Sequence, residues 1–382
     1  MSVPARAADS EVSRAQRGLG ARLAGMRVVI CAGAGGVGKT TVSAAVALGL
    51  AAGGLRVAVV TIDPARRLAE ALGFDQLGNQ PRRVEAAALR ACGLECSGEL
   101  SAMMLDVKRT FDEVIVALAP DAATRDAILA NRVYQQLSTA VAGSQEYTAI
   151  AKLFELVEGG DYDAIVLDTP PSRSAIDFLQ APERLSGFLE SRVLATFLAP
   201  TGRMIRAAAL VFGAIRRITG VGLLDDLTTF FGLLSGLLDG FHRRAAGVQQ
   251  LLADPRTAFL IVTSPERGPS DEGLFFAREL ERGGMRRAGV IVNRVHALDR
   301  DLDDAQTTAQ RLAGALGAEL ASEVAAVHAR VQLLARRDHV AVARLCVDLD
   351  ERAPVCVLDR ERDLHDLVAL VELCAELFAP VA

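Results

Sequence analysis

Residues Gly33 to Thr41 read GAGGVGKTT and match the phosphate-loop pattern G-x-x-x-x-G-K-[ST]. The apolar run RVVICAG at 27–33 precedes the loop, and the alanine-rich run TVSAAVALGLAA at 41–52 follows it. This context predicts a buried strand, a loop and a helix. In that arrangement the loop amides and the positive end of the helix both face an anionic phosphate group. The stretch therefore predicts a nucleotide-binding site.

Side chains of the loop are expected to contact different parts of ATP and its Mg²⁺ ion. Lys39 is expected to reach the β and γ phosphates, and Thr40 to supply a hydroxyl ligand to magnesium. Thr41 is expected to contact the inner phosphates. The predicted ATP-binding residues of the loop are Gly33, Ala34, Gly35, Gly36, Val37, Gly38, Lys39, Thr40 and Thr41.

Strand-like and helix-like segments alternate along the chain, which favours an α/β protein with a doubly wound, mainly parallel sheet. The predicted strands are residues 27–33, 56–63, 163–168, 257–263, 288–292 and 354–358. Polar or glycine-rich residues follow most of these strands, at the edge where open α/β sheets bind ligands. We therefore expect one composite site at that edge.

Two acidic residues at strand ends are candidates for the chemistry of phosphoryl transfer to water. Asp168 follows four apolar residues and is predicted to hold magnesium directly or through a water ligand; the alternative is an ordinary turn aspartate. Asp63 is predicted to orient or deprotonate the attacking water, and its alternative is a helix N-cap.

Long helical stretches interrupt the strand pattern at about 97–158 and 181–252, and we interpret them as a helical subdomain inserted into the nucleotide-binding fold. The nucleotide-binding core then comprises about 26–96, 159–180 and 253–382. Residues 1–25 contain no apolar run of signal-peptide length and are expected to form a flexible tail. A single phosphate loop predicts one ATPase unit.

Charge, cysteine content and hydropathy bear on nucleic-acid binding, on the cellular compartment and on membrane insertion. The net charge of −5 comes with no long basic run, which argues against nucleic-acid binding. Scattered cysteines favour reduced thiols in the cytoplasm. Charged residues interrupt the most apolar region, about 193–241, so we expect no membrane-spanning helix, although peripheral contact with a membrane stays open.

The order of several motifs resembles that of the ArsA-type ATPases, which include the arsenite-pump ATPase and the tail-anchored-protein targeting ATPase. These motifs are GAGGVGKTT, TIDPARRLAEALGF, YDAIVLDTPPSRSAIDFL, VIVNR and VLDRERDLHDL, and they occur from about residue 26 onward. The resemblance is to a single-unit bacterial member and implies a deviant Walker A fold, ATP with Mg²⁺ and a dimer. It assigns Asp63 to the first switch, Asp168 to the second, and Asn293 to adenine binding. It also places Leu358 and Asp359 in a loop that closes over the base.

Departures from that pattern concern the charge near the phosphates. Family members usually carry a lysine at the position of Ala34, which reaches the phosphates of a partner subunit, and alanine cannot do so. One hypothesis is that Arg173 supplies the missing charge as a catalytic arginine finger; the alternative is a solvated or structural arginine. Another is a heterodimer with a paralogous ATPase that carries the lysine, in place of a homodimer.

The cysteines do not reproduce the metal sites of the relatives. The stretch that begins at His296 reads HALDRDLDDAQTTAQ and lacks the zinc-binding pair of eukaryotic targeting members. Cys92 and Cys96 are either packing residues or soft ligands for arsenite or another thiophilic ion.

An apolar stripe at helical spacing marks residues 227–241, accompanied by a row of small residues, Gly232, Gly236 and Gly240, expected on the same helix. The stripe is either the core of the domain or, as the resemblance implies, a surface for a hydrophobic or membrane-protein client. Three functions follow. The leading one is an ATP-hydrolysing switch that moves the helices around such a client, and the alternatives are the ATPase subunit of an anion exporter and an ATP-binding assembly module with little turnover.

Overall fold

The computed structural model describes residues 18–63, 65–140, 144–169, 221–299, 304–360 and 366–379. Arg173, the residue of the arginine-finger hypothesis, lies outside the described residues, as do its neighbours Ser172 and Ser174.

Eight strands form one sheet. They are β1 Val28–Ala32, β2 Arg56–Thr61, β3 Arg82–Arg83, β4 Glu99–Met104, β5 Ala164–Asp168, β6 Thr257–Thr263, β7 Arg287–Val295 and β8 Val355–Leu358. Their order is β3-β4-β2-β5-β1-β6-β7-β8, and every pair is parallel except β3 with β4. The central strand β1 lies between β5 and β6, where the chain reverses the direction in which it adds strands. This reversal is the switch point at which doubly wound sheets bind ligands.

The helices that the structure describes cover both faces of this sheet. They are α1 Leu19–Leu23, α2 Lys39–Ala52, α3 Arg67–Ala71, α4 Ala86–Ala91, α5 Val107–Leu118, α6 Ala122–Ala130, α7 Arg132–Ala140, α8 Ser144–Gly159, α9 Val221–Ser235, α10 Leu238–Ala253, α11 Arg267–Arg282, α12 Ala305–Leu316, α13 Ala318–Leu349 and α14 Leu367–Phe378. Within the described ranges, none of these helices has the length and apolar character that crossing a bilayer requires.

Two apolar cores, one on each face, hold the sheet between the helices. Alternate residues of β1 enter opposite cores: Val28 and Ile30 join one, and Val29 and Cys31 join the other. All five residues of β1 are buried, as expected for a parallel strand covered on both faces. The predicted α/β class and doubly wound parallel sheet are confirmed.

Two predictions about the N-terminal third of the chain are wrong. Residues 99–104, assigned to the start of the helical insertion, form β4, which pairs with β2 and extends the sheet. The tail assigned to residues 1–25 includes α1, whose Leu19 and Leu23 are fully buried against the sheet and α14. Burial of this pair, one helical turn apart, explains why the end of the segment is ordered.

The apolar stripe also differs from the prediction. Helix α9 ends at Ser235 and α10 begins at Leu238, so Gly232 and Gly240 lie on different helices. A β-carbon on Gly240 would lie 2.8 Å from Leu118, which shows how closely α10 approaches its own neighbour α5. Five apolar residues of the stripe are buried in the domain core, namely Phe230, Phe231, Leu234, Leu237 and Phe241. In this conformation these five side chains are part of the domain's own core and are not exposed to a client.

Candidate functional site

The glycine-rich loop connects β1 to α2 and presents its backbone above the carboxyl edge of the sheet. A β-carbon on Gly33 would lie 1.8 Å from the carbonyl oxygen of Val262 in β6, so only glycine allows the loop to leave the sheet there. Gly38 has φ of 88°, in the left-handed region, and directly precedes the first residue of α2. The loop therefore ends at a helix N-terminus whose free amides favour an anion.

Lys39 is buried at the start of α2, and its side chain folds back over the loop. Its Nζ donates a hydrogen bond of 2.7 Å to the carbonyl oxygen of Ala34. Burial lowers the pKa of Lys39, although the carboxylates of Asp168 and Asp63 act in the opposite direction. The ammonium group is thus largely removed from water and has one neutral acceptor, an arrangement that favours exchange for an anionic oxygen.

Asp168, at the end of β5, is the buried carboxylate nearest to this loop. Its Oδ2 accepts hydrogen bonds from the hydroxyls of Thr40, at 2.7 Å, and Thr61, at 2.8 Å. Its Oδ1 is buried and has no hydrogen-bond partner. Burial raises the pKa of Asp168 to about 6, because the charged form loses hydration that two hydroxyls only partly replace.

Thr61 was missed by sequence reasoning. It is the last residue of β2, which lies beside β5 in the sheet, and it is fully buried. A threonine at the end of a strand is common, so its contact with Asp168 appears only once the strand order is known. A hint was its position two residues before Asp63, in the same strand-end motif.

Asp63 is half-buried just beyond β2 and closes a local turn. Its Oδ1 accepts a hydrogen bond of 2.9 Å from the amide of Ala65, while its own amide donates to the Thr61 hydroxyl. The N-cap alternative is wrong, since α3 begins only at Arg67 and the residue before it is Arg66. The Thr61 hydroxyl that accepts from the Asp63 amide also donates to Asp168 Oδ2, so Asp63 lies at the same site as Asp168.

Asn293, near the end of β7, contacts the phosphate loop directly. Its Nδ2 donates a hydrogen bond of 2.9 Å to the carbonyl oxygen of Val37. Leu358 ends the adjacent β8 and Asp359 follows it, and the amide of Asp359 donates a hydrogen bond of 2.8 Å to the carbonyl oxygen of Val295. Leu358 is 47% exposed, so its side chain is available to cover a flat ligand.

The predicted residues thus fall into one inner group and one outer group. The inner group is the loop with Lys39, Thr40, Asp168 and Asp63; the outer group is Asn293, Leu358 and Asp359. Thr41 is half-buried in the first turn of α2.

The donor set at Asp168 fits a hard divalent cation. One unpartnered carboxylate oxygen and one threonine hydroxyl are oxygen ligands of the kind Mg²⁺ prefers, and a protein site for this ion needs few of them because water and phosphate supply the rest. Cys92 and Cys96 are half-buried and lie near α4, with the Cys96 thiol 3.6 Å from the carbonyl of Gly98. Within the ranges that the structure describes, no three His, Cys, Asp or Glu side chains group closely enough to bind a metal ion by themselves.

Comparison with known proteins supports a nucleotide-dependent family. The family model described as anion-transporting ATPase matches residues 26–314. The chain is 27% identical over 277 residues to "Putative arsenical pump-driving ATPase 1" of Aquifex aeolicus, which covers 71% of this chain and 63% of the relative. It is 30% identical over 206 residues to "ATPase get3" of Aspergillus terreus, covering 53% and 55% of the two chains. It is 26% identical over 279 residues to "ATPase BagA" of Mycobacterium tuberculosis, covering 72% and 66%. The chain thus spans less than two thirds of the length of these relatives.

Proposed function

Because the chain belongs to the anion-transporting ATPase family, we propose that it binds ATP with Mg²⁺ and hydrolyses the bond between the β and γ phosphates. The observation that carries this proposal is the meeting of Lys39, Thr40 and Asp168 beneath a glycine loop, with one oxygen of Asp168 unpartnered. A cation, two oxygen ligands and a row of free amides are the groups that a nucleotide polyphosphate requires.

Lys39 and the loop amides bind the polyphosphate. On binding, the Lys39 ammonium group exchanges the Ala34 carbonyl for phosphate oxygens, which are charged acceptors and therefore stronger partners. The amides of the first turn of α2 bind the same anion, since they lack acceptors within the helix.

Thr40 and Asp168 would hold the magnesium ion, which when bound neutralises charge on the phosphate oxygens. Thr61 keeps the Asp168 carboxylate in place through its hydrogen bond to Oδ2, while Oδ1 has no hydrogen-bond partner that would compete with a metal ion. Asp63 has one oxygen engaged by the Ala65 amide, and the carboxylate is thereby oriented to accept a proton from the attacking water.

The ends of β2 and β5 provide a route from nucleotide to helices. We propose that the loops following Asp63 and Asp168 respond to the nucleotide and move the helices α5 to α10. This movement would capture or release a hydrophobic or membrane-associated partner. One feature supports this coupling: β4, which pairs in parallel with β2, is followed at once by α5 at the same carboxyl edge of the sheet. Since the apolar stripe on α9 and α10 is buried, capture of such a partner requires these helices to separate.

Calorimetry and phosphate release together test the proposal. Purified full-length protein is expected to bind ATP and ADP with Mg²⁺, and to release phosphate at a rate that a chelator abolishes. Absence of nucleotide binding would overturn the proposal. Binding without phosphate release would favour the assembly module, and stimulation by arsenite that disappears on replacing Cys92 and Cys96 with serine would favour the anion exporter.

Replacement of Thr61 tests its positioning role. Thr61→Val keeps the shape of the side chain and removes the hydroxyl, so Asp168 Oδ2 loses one of two donors. We expect phosphate release to fall about tenfold or more, in line with roughly 1.5–3 kcal/mol for a hydrogen bond to a charged group. The Mg²⁺ concentration that gives half-maximal phosphate release is expected to rise. Thr61→Ser, which keeps the hydroxyl, is expected to restore both. A loss in Thr61→Ser protein that is as large as, or larger than, the loss in Thr61→Val protein would contradict the positioning role of the hydroxyl.

A further inference from the structure

Helix α13 carries a row of exposed apolar side chains that the nucleotide site does not use. Leu320, Val324, Val327, Val331 and Leu334 are between 38% and 55% exposed. They recur at alternating intervals of four and three residues, which is the heptad spacing of helices that pack along a common seam. We call these five residues the α13 seam.

One flank of the seam is occupied by α12. The two helices pack together as a hairpin, and Ala321 and Ala325, on the flank of the seam that faces α12, are fully buried. No residue of α12 itself is buried, so the hairpin stands out from the sheet. No part of the chain that the structure describes covers the seam or its other flank.

The middle and the C-terminal half of α13 are tied to the body of the protein. Gln332 accepts a hydrogen bond of 3.0 Å from the amide of Asp299, and Asp338 accepts one of 3.2 Å from the amide of His296. Leu345 and Leu349 are buried in the core. The helix is therefore formed and held before any partner arrives, so association requires no helix nucleation and little loss of conformational entropy.

The charges on the free flank point to a specific occupant. Glu323 and Arg330 are exposed on the side of the seam away from α12, one heptad apart. In a parallel pair of α13 helices, this flank would meet the flank of its partner that α12 already covers. In an antiparallel pair the two free flanks meet each other, and Glu323 of each copy lies beside Arg330 of the other. The position of α12 and the charges of Glu323 and Arg330 thus both favour the antiparallel arrangement.

A membrane surface fits the seam less well. Helices that lie on membranes carry basic polar faces and aromatic anchors. The seam is flanked by charges of both signs, including Glu319, Glu323 and Arg330, and α13 contains no Phe, Tyr or Trp.

We propose that the α13 seam is a self-association surface, where two copies of this chain pack α13 against α13 in antiparallel orientation. The proposal depends only on the α12–α13 hairpin and is independent of the proposed ATPase activity. The contact between the two copies is built from the five seam residues and two Glu323–Arg330 pairs.

Sedimentation equilibrium of the full chain over a range of concentrations is the first test. Wild-type protein is expected to dimerise, and Val327→Glu to raise the dissociation constant at least about tenfold, because the contact would bury an unpaired carboxylate. Val347→Glu is the matched control. Val347 is 81% exposed on the same helix outside the seam, and its replacement is expected to leave the constant unchanged. Both valines are exposed in the single chain, so equal thermal midpoints would show that both variants fold.

Mixing two charge variants tests the orientation. Glu323→Arg alone and Arg330→Glu alone each place like charges together twice, and each is expected to weaken dimerisation about three- to tenfold. An equimolar mixture of the two variants pairs opposite charges again and is expected to recover dimers near the wild-type constant. No gain in the mixture would overturn the antiparallel arrangement. A wild-type chain that stays monomeric, or a dimer that Val327→Glu does not weaken, would overturn self-association through the seam.

Discussion

Lys39→Ala protein is expected to release phosphate from ATP at least about a hundredfold more slowly than wild type, the scale of losing one well-placed charged donor. The physical reason is that the buried ammonium group donates a hydrogen bond of 2.7 Å to the neutral carbonyl oxygen of Ala34, which it would exchange for the charged oxygens of the phosphates. Magnesium-dependent phosphate release and calorimetric ATP affinity, measured on the same preparation, check both parts of this expectation.

The stability of the same variant should not fall. Burial lowers the pKa of Lys39, which means that the folded protein disfavours the charged amine. Removing the amine therefore removes an unfavourable term, and the thermal midpoint without nucleotide should be equal to or above that of wild type. Lys108→Ala is the matched control, because Lys108 pairs with Asp112 on the outer part of α5 and should leave turnover unchanged. Wild-type turnover by Lys39→Ala protein would contradict the assigned role.

The phosphate loop and β1 were predictable because their signal is local. Gly33 is required where the loop passes close to β6, and Gly38 is required where the loop ends and the helix begins. The apolar runs on either side of the loop predict the strand and the helix. The same holds for Asp168, whose strand is four buried apolar residues followed by one acid. Parallel strands buried on both faces have this appearance regardless of their partners.

Elements that depend on partners were not predictable in this way. The sequence of β4, ELSAMM, contains alanine, leucine and methionine, which are good helix formers. It forms a strand because its backbone hydrogen-bonds to the edge of β2. The helix α1 is a single turn that forms where Leu19 and Leu23 meet α14, more than three hundred residues away. Thr61 gains its role from β5, which is adjacent in the sheet and distant in the sequence. In each case the missing information is a long-range contact.

Asp168→Asn is expected to stabilise the protein without nucleotide or metal while nearly abolishing hydrolysis. Burial raises the pKa of Asp168 to about 6, whereas in the unfolded chain it lies near 3.8. Between these values the folded state keeps a proton that the unfolded state has lost, so stability falls as pH rises through this window and stays low above the folded pKa. Two pKa units correspond to roughly 3 kcal/mol, which is an upper limit for the gain from a neutral side chain at pH 8.

The asparagine amide sets the size of that gain. Its oxygen can accept from Thr40 and Thr61, but its NH₂ group takes the place of Oδ1, which has no partner. An unpaired buried donor costs about 1–3 kcal/mol, so the net stabilisation should be modest at pH 8 and should disappear or reverse near pH 4. Urea unfolding in chelator at several pH values measures it.

Asp126→Asn supplies the matched control for the sign of the effect. Asp126 is exposed, and its hydrogen bond with Arg125 lowers its pKa, so its replacement should be neutral or slightly destabilising at pH 8. If Asp168→Asn were instead less stable than wild type at pH 8 and unchanged in its pH dependence, the buried carboxylate would not carry an uncompensated charge. Without a metal ion, the buried charge of Asp168 costs the folded protein free energy, and a bound cation can recover that free energy. Asp168→Asn removes both the charge and the metal ligand, so the more stable variant should also lose turnover.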